Sequence, residues 1–142
     1  MKKVVIYTDG ACSGNPGRGG WGAVLIYNGK ERELSGVAEN TTNNQMELTA
    51  VVEALSMLKE ECEVDLYSDS AYVVNAFQQN WIDSWLKNNW RNSQKKPVAN
   101  RELWEKLISL TEKHTVKFLK VAGHSGDKYN EICDKLATKD LR

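Results

Sequence analysis

Two aspartates, Asp9 and Asp69, occur in the same local pattern along this chain, between a hydroxyl residue and a small residue. Each follows a short run that predicts a strand, residues 4–7 and residues 64–67. The carboxyl ends of strands in an open α/β sheet meet at the edge where ligands bind. If the two strands are parallel neighbours, the carboxylates face each other across about 5 Å, the usual strand spacing. Because like charges that close repel unless a cation lies between them, the pair suggests a metal site.

Two further carboxylates, Glu47 and Asp134, lie on predicted helices. The 3.6-residue period places Glu47 about 40° from Val51, at the edge of an apolar stripe, so its carboxylate should point inward near the helix start. Asp134 holds a similar position next to Cys133 on the last predicted helix. Carboxylates without clustered histidine or cysteine suit a hard, oxygen-binding ion such as Mg²⁺ or Mn²⁺. The alternative is that the aspartates are turn or cap residues and that Glu47 and Asp134 are solvated helix charges.

His124 lies in a loop of small residues, 122–126, after the last predicted strand. An exposed histidine can carry protons near neutral pH, which makes His124 a candidate proton shuttle. The alternative is a loop histidine without a function.

Residues 81–101, the cationic segment, combine aromatic and basic side chains. They contain five basic residues against Asp83 alone, in a chain with 19 basic and 19 acidic residues. Cations for phosphates and flat rings for sugars and bases are what polynucleotide binding needs. Trp81 and Trp85 share a helix face, so core packing is the alternative for both, and it is the prediction for Trp104 on its apolar stripe.

Length and composition limit the class of protein. With 142 residues and 41% hydrophobic residues, the chain predicts one globular domain, residues 1–142. No apolar run approaches the ~18 residues of a membrane span, and the N-terminus does not resemble a signal peptide. Three widely spaced cysteines, Cys12, Cys62 and Cys133, favour a reducing cytoplasm over a disulfide framework. Zero net charge excludes a generally basic nucleic-acid coat but leaves room for a local basic patch.

The predicted elements indicate an α/β sheet with mixed strand directions. Asn28-Gly29 predicts a hairpin, Thr42 is the expected N-cap of a helix with Gln45 in a capping box, and residues 10–20 predict a glycine-rich loop. The string Gly17–Gly22 matches G-x-G-x-x-G, but it leads into a strand and therefore does not predict a dinucleotide site. The remaining strands are predicted at 21–27, 33–37 and 115–121, and the remaining helices at 72–77, 81–86, 103–111 and 129–141. Residues 88–100 are predicted to be irregular.

In order and spacing, several motifs of this chain resemble the type 1 ribonuclease H family in its compact bacterial form. They lie at 7–12 and 15–17, 41–48, 68–73, 95–98 with Asn100, and 123–124 with 130–134. The resemblance runs from Val4 to about Lys139. It implies an α/β ribonuclease H-like fold with a five-stranded mixed sheet flanked by helices, and a monomer without an obligate protein partner. It also implies an endonuclease that hydrolyses the RNA strand of RNA–DNA hybrids and leaves 5′-phosphate and 3′-hydroxyl ends.

The resemblance assigns catalytic roles to five residues. Two Mg²⁺ ions, for which Mn²⁺ should substitute, would clamp the scissile phosphate. Asp9 would bridge the ions, Asp134 would help to hold the ion that activates water, and Glu47 and Asp69 would help to hold the other. His124 would assist proton movement or product departure.

The resemblance also assigns substrate contacts. Residues that match contacts to the RNA strand and its 2′-hydroxyls are Cys12, Asn15, Asn43 and Asn44. Thr42 and Asn100 match a pocket for a DNA phosphate. Trp81 and Trp85 match the DNA channel, and the basic protrusion, residues 81–96, contributes Lys87, Lys95 and Lys96. The chain departs from the family at Asn40, where many members have an arginine beside the phosphate pocket, and at Ala71, where a longer side chain is common.

Two other functions are weighed against this one. A non-catalytic hybrid-binding module could keep the fold, but the complete carboxylate set argues against it. A DNA strand-transfer or resolvase-type enzyme could share the sheet, but it usually needs extra DNA-binding or multimerisation segments, for which 142 residues leave no room.

Overall fold

The computed structural model describes residues 1–121 and 127–141 of the chain. Strands and helices follow one another as β1 (Lys2–Cys12), β2 (Gly17–Tyr27), β3 (Lys30–Thr41), α1 (Asn43–Ser56), β4 (Cys62–Ser68), α2 (Ala71–Gln78), α3 (Trp81–Lys87), α4 (Arg101–Lys113), β5 (Thr115–Lys120) and α5 (Lys128–Thr138). Every strand and helix that the sequence predicts is present, with ends that differ by a few residues. None of the described helices is both long and apolar enough to cross a membrane.

The five strands form one mixed sheet in the order β3-β2-β1-β4-β5. The hairpin strands β2 and β3 and the pair β1–β2 are antiparallel, whereas β1–β4 and β4–β5 are parallel. The fold class predicted from the sequence is therefore confirmed, including the mixed strand directions. The parallel register of β1 and β4 pairs Thr8 with Ser68. The predicted aspartates, Asp9 and Asp69, are the residues that directly follow this pair in the sequence.

The main core lies between one face of the sheet and helices α1 and α4. Its largest fully buried side chains include Trp104, Ile6, Leu48, Leu55 and Leu66. Trp104 is thus a core residue, as its apolar stripe predicts. Helix α5 packs against β1 and β2 and closes over glycines of β2.

The glycine-rich residues 10–20 are not the predicted loop. They continue β1 to Cys12 and begin β2 at Gly17, with only residues 13–16 between the strands. Two of the β2 glycines, Gly20 and Gly22, are needed for close packing rather than for turns. A Cβ at Gly20 would lie 2.2 Å from the carbonyl oxygen of Ala137, and one at Gly22 would lie 2.5 Å from Cβ of Leu136. The prediction was wrong because glycine allows a helix to approach a strand as well as permitting a turn.

Other local predictions are confirmed. Asn28 and Gly29 form the hairpin turn with positive φ values of 50° and 76°. The G-x-G-x-x-G string lies in β2 and leads into strand, as expected. Residues 88–100 form neither a strand nor a helix, apart from one isolated bridge between Arg91 and Pro97.

Candidate active site

Three of the four predicted carboxylates meet at one edge of the sheet. Asp9 and Asp69 are adjacent because β1 and β4 are parallel neighbours in register, and Glu47 reaches them from the first turns of α1. One carboxylate oxygen from each of the three lies within 4.8 Å of those from the other two. The inward orientation predicted for Glu47 is confirmed, since its side chain is buried. We call Asp9, Glu47 and Asp69 the acidic cluster.

Close contact between β1 and α1 explains how Glu47 comes so near to Asp9. A Cβ at Gly10 would lie 2.4 Å from the backbone nitrogen of Glu47, so only glycine fits between the strand and the helix at this point. The backbone N–H of Gly10 also donates a hydrogen bond of 2.9 Å to Oδ1 of Asp9. Gly10 therefore both brings the two carboxylates together and orients one of them.

Burial and mutual repulsion disfavour the charged forms of the acidic cluster. Asp9 is 6% exposed and Glu47 is 5% exposed. Burial, followed by the charge of Asp69, raises the pKa of Asp9 to about 7, although the Gly10 N–H acts in the opposite direction. Burial, followed by the charges of Asp9 and Asp69, raises the pKa of Glu47 well above its usual value. Among the described residues, Oε1 of Glu47 has no hydrogen-bond partner. Buried, oxygen-only and partly unpartnered carboxylates fit a hard divalent cation, which would supply the missing positive charge.

The other two predicted catalytic residues differ in what the structure shows. Asp134 lies half-buried on α5, outside the acidic cluster. Its charge nevertheless contributes to the raised pKa of Asp9, after the larger effects of burial and Asp69, so it lies close enough to act on the same site. His124 falls outside the described residues, and its predicted role stays a prediction.

A pocket of about 710 Å³ gathers most of the predicted substrate contacts. It brings together six of them, Cys12, Asn15, Thr42, Asn43, Asn44 and Asn100, along with Gln45 and Ala99. The N-terminus of α1 forms part of its wall, where Thr42 is the N-cap and accepts a hydrogen bond from the N–H of Gln45. The N–H of Asn43, the first residue of α1, donates a hydrogen bond of 2.9 Å to Oδ1 of Asn15. Residues from three separate motifs therefore line one surface.

Gln45 lines this pocket but was not among the predicted substrate contacts. Sequence reasoning assigned it to a capping box, in which its side chain would return to the N–H of Thr42. Half of that box is present, since Thr42 caps Gln45. The amide of Gln45 instead contacts the side chains of Thr41 and Asn100. The sequence carries no local signal for this second role, because the partner Asn100 is 55 residues away.

Only Ala99 and Asn100 of the cationic segment line the pocket, and its lysines and tryptophans lie outside the lining. Lys87, Lys95 and Lys96 are exposed, as a solvent-facing binding surface requires. Trp81 is half-buried and lines a groove of about 350 Å³ with Trp85, Ser84 and residues 92–93. Trp85 itself is only 9% exposed and packs edge-on against Trp104. Core packing, the alternative considered for both tryptophans, thus accounts for most of the Trp85 surface.

The two departures from the family pattern lie on the surface. Asn40 is exposed near the end of β3 in a left-handed conformation with φ of 49°. Ala71 is exposed as the first residue of α2, directly after the cap Ser70. Neither residue belongs to the acidic cluster.

Comparisons with known proteins agree with this geometry. A family model described as RNase H matches residues 1–142. The Ribonuclease H of Acetivibrio thermocellus is 61% identical over 142 residues, which are 100% of this chain and 97% of the relative. A solved type 1 RNase H with the type 2 active-site motif, LC9-RNase H1, has a TM-score of 0.87 at 27% identity, over 98% of this chain and 72% of that one. LC11-RNase H1, solved in complex with an RNA/DNA hybrid, has a TM-score of 0.72 at 25% identity, over 98% of this chain and 99% of that one. The chain belongs to the ribonuclease H family.

Proposed function

We propose that this protein is an endoribonuclease that hydrolyses the RNA strand of RNA–DNA hybrids and leaves 5′-phosphate and 3′-hydroxyl ends. The observation that carries the proposal is the acidic cluster, with two of its three carboxylates buried, in a chain that belongs to the ribonuclease H family. A catalytic centre of this composition suits phosphodiester hydrolysis, because three crowded carboxylates can bind divalent cations and such cations stabilise charge on phosphate oxygens.

The residues present fit two Mg²⁺ ions, with Mn²⁺ as a substitute. Asp9, Glu47 and Asp69 would hold them, together with Asp134 from α5. When bound, the ions would activate the attacking water and stabilise the negative charge that develops on the phosphate. The Gly10 N–H keeps one oxygen of Asp9 oriented, and the buried position of Glu47 keeps bulk water from screening its charge. His124 would move a proton at the site or assist product departure.

The substrate would lie across the pocket and the cationic segment. Cys12, Asn15, Asn43 and Asn44 would contact the RNA strand and its 2′-hydroxyls, which distinguish it from DNA. Thr42 and Asn100 would bind a phosphate of the DNA strand. This assignment is supported by the pocket that these six residues line together.

The cationic segment would add affinity through phosphate contacts and stacking. Lys87, Lys95 and Lys96 are exposed and can reach a polynucleotide backbone. Trp81 is half-buried and has ring surface available in its groove, whereas the nearly buried Trp85 has little. We also propose that the protein acts as a monomer and that it works in the cytoplasm; the three free cysteines support the second of these proposals.

One assay tests the proposed function. The protein is incubated with Mg²⁺ and, separately, with an end-labelled RNA–DNA hybrid, duplex DNA, duplex RNA and single-stranded RNA. We expect cleavage of the hybrid alone, within the RNA strand, and none after chelation of the metal. Equal cleavage of single-stranded RNA, or cleavage that survives chelation, would contradict the proposal.

His124→Ala tests the predicted proton-transfer role in the same assay. We expect turnover to slow by roughly 10–100-fold, within or below the usual range for a single proton-transfer group. An unchanged rate across the pH range around its ordinary pKa, about 6.5, would leave His124 without this role.

A further inference from the structure

The pocket beside the acidic cluster carries no charged side chain among the described residues that line it. Its lining is Cys12, Asn15, Thr42, Asn43, Asn44, Gln45, Ala99 and Asn100. A phosphate bound here must therefore be recognised by neutral N–H and O–H donors. Neutral donors attract an anion only when they point at it, whereas a lysine attracts it from many directions. The orientation of the side-chain amides in this pocket thus decides whether it can bind a phosphate.

A chain of hydrogen bonds fixes one of these amides, that of Asn100. The Thr41 hydroxyl donates to Oε1 of Gln45 at 2.8 Å, and Nε2 of Gln45 donates to Oδ1 of Asn100 at 3.1 Å. Nδ2 of Asn100 then donates to the Tyr72 hydroxyl at 3.2 Å. The chain ends where the Trp104 indole N–H donates to the same hydroxyl at 3.0 Å.

The direction of these bonds leaves Asn100 with one free donor. The Trp104 indole can only donate, so the Tyr72 oxygen must accept at that end of the chain. An asparagine amide has two N–H donors, and Tyr72 takes one of them. Among the described residues, the other N–H of Nδ2 has no protein partner, so it is available to a ligand in the pocket that Asn100 lines.

The local backbone indicates that this arrangement is not an ordinary helix cap. Asn100 precedes α4 as its N-cap, but it has a left-handed conformation with φ of 62° and ψ of 31°, and its side chain makes no capping hydrogen bond. Asparagine at an N-cap normally accepts an N–H of the first turn. Here the amide is held by Gln45 from α1 and by Tyr72 from α2 instead.

We propose that Gln45 and Tyr72 are positioning residues that orient the Asn100 amide so that its free N–H binds a phosphate of the DNA strand. The proposal rests on the proposed function and adds to it two residues that act through a third. Tyr72 is the clearer case, because it does not line the pocket and reaches the ligand only through Asn100. Gln45 lines the pocket. By donating to Oδ1 of Asn100, it also determines which side of the Asn100 amide carries the oxygen.

The test measures KM and kcat for hybrid cleavage by Tyr72→Phe, Asn100→Ala and the double variant. Tyr72→Phe keeps the ring that packs against Trp104 and removes the hydroxyl that accepts from both Asn100 and the Trp104 indole. We expect KM to rise by about three- to tenfold, the effect of one lost hydrogen bond, with kcat nearly unchanged. Adding Tyr72→Phe to Asn100→Ala should raise KM no further, because the positioned group is already absent.

Two controls separate positioning from a general structural effect. Tyr129→Phe removes another hydrogen-bonded tyrosine hydroxyl, the one that contacts Glu31, and should leave KM unchanged. Gln45→Met removes the other partner of Asn100 while keeping a long side chain, and it should raise KM for the single variant but not in the Asn100→Ala background. An equal rise in KM with and without Asn100, for either variant, would overturn the proposal.

A measurement without turnover distinguishes this proposal from the proposed function. In the NMR spectrum, Tyr72→Phe should shift the side-chain N–H resonances of Asn100 whether or not hybrid is present. Unchanged resonances would overturn the positioning role even in an active enzyme. A wild-type protein that neither binds nor cleaves hybrid would contradict the proposed function instead.

Discussion

The acidic cluster and the cationic segment hold their charges in opposite ways. Asp9 and Glu47 are buried, and their positions are fixed by the β1–β4 register and by the contact at Gly10. In the cationic segment, the backbone is ordered by short-range bonds, such as those from the N–H groups of Gln94 and Lys96 to Oδ1 of Asn92. Its lysine side chains, however, extend into solvent.

This difference separates chemistry from affinity. Buried charges are poorly screened and interact strongly, so their exact placement determines what they can bind. Exposed charges are screened by salt within about 10 Å at 0.1 M ionic strength, and small displacements matter little to them. We therefore expect substitutions in the acidic cluster to change the rate of the reaction, and substitutions in the cationic segment to change the concentration of substrate that it needs.

The largest expected effect is at Asp69. Asp69→Asn keeps the size of the side chain and removes the charge that a divalent cation needs. We expect kcat to fall by about a thousandfold or more, since bound metal contributes several kcal/mol of transition-state stabilisation, while folding and hybrid binding persist. Single-turnover cleavage, circular dichroism and binding of labelled hybrid measure the three properties. Cleavage within about tenfold of the wild-type rate would contradict the metal-binding role.

A smaller effect is expected for the lysines of the cationic segment. Replacing Lys95 and Lys96 with alanine should raise KM, leave kcat nearly unchanged and weaken binding most at low salt. Each lost phosphate contact flattens the logarithmic salt dependence by about 0.9 on duplex DNA, so the slope should change by about 1.8 if a hybrid behaves similarly. The control replaces Lys30 and Lys59, which are also exposed and lie outside the segment. A fall in kcat with KM and the salt slope unchanged would show that these lysines do not bind substrate phosphates.

His114 lies outside both the acidic cluster and the cationic segment, and it allows the effect of burial on a charge to be tested separately. It is buried, and its Nδ1 accepts the N–H of Cys62 at 3.1 Å. Burial, followed by the charge of Lys113, lowers its pKa below the usual 6.5, and Glu61 opposes this. At His114 the unfolded chain therefore binds more protons than the folded protein around and below pH 6.5, so the contribution of His114 to stability should fall as the pH drops from 7.5 to 5.

Urea unfolding of the wild type and of His114→Asn, which keeps an acceptor near Nδ1, isolates this effect. As the pH falls from 7.5 to 5, the unfolding free energy of the wild type should decrease relative to that of His114→Asn. A difference that is constant from pH 7.5 to pH 5 would show that burial does not disfavour the imidazolium here.

Much of the fold was predictable because the signals were local. Asn28-Gly29 predicted the hairpin and Thr42 predicted the start of α1 from a few residues each, and both are confirmed. The glycines at 10–20 were misassigned because their role depends on α1 and α5, which approach them from distant parts of the chain. Local spacing cannot distinguish a glycine that turns the chain from one that admits a helix.

The site was predictable to the extent that strand ends determine it. Asp9 and Asp69 follow from the rule that parallel strands share a carboxyl edge, and the helical period indicates the inward position of Glu47. The contact of Gln45 with Asn100 depends on how α1 and α4 pack, which no periodicity reveals. The burial of Trp85 against Trp104 depends on the same packing.

The proposed function depends most on the ability of the acidic cluster to hold divalent cations. The most direct test is a Mg²⁺ titration followed by thermal unfolding of the wild type, Glu47→Gln and, as a control from the exposed side of α1, Glu53→Gln. Ligand that binds only the folded state raises its stability, so saturating Mg²⁺ should raise the wild-type and Glu53→Gln melting temperatures by several degrees, roughly 5 °C. Glu47→Gln should lose most of this rise without losing stability in the absence of metal, because Oε1 of Glu47 has no hydrogen-bond partner among the described residues. An equal Mg²⁺-dependent rise in all three proteins would contradict the account.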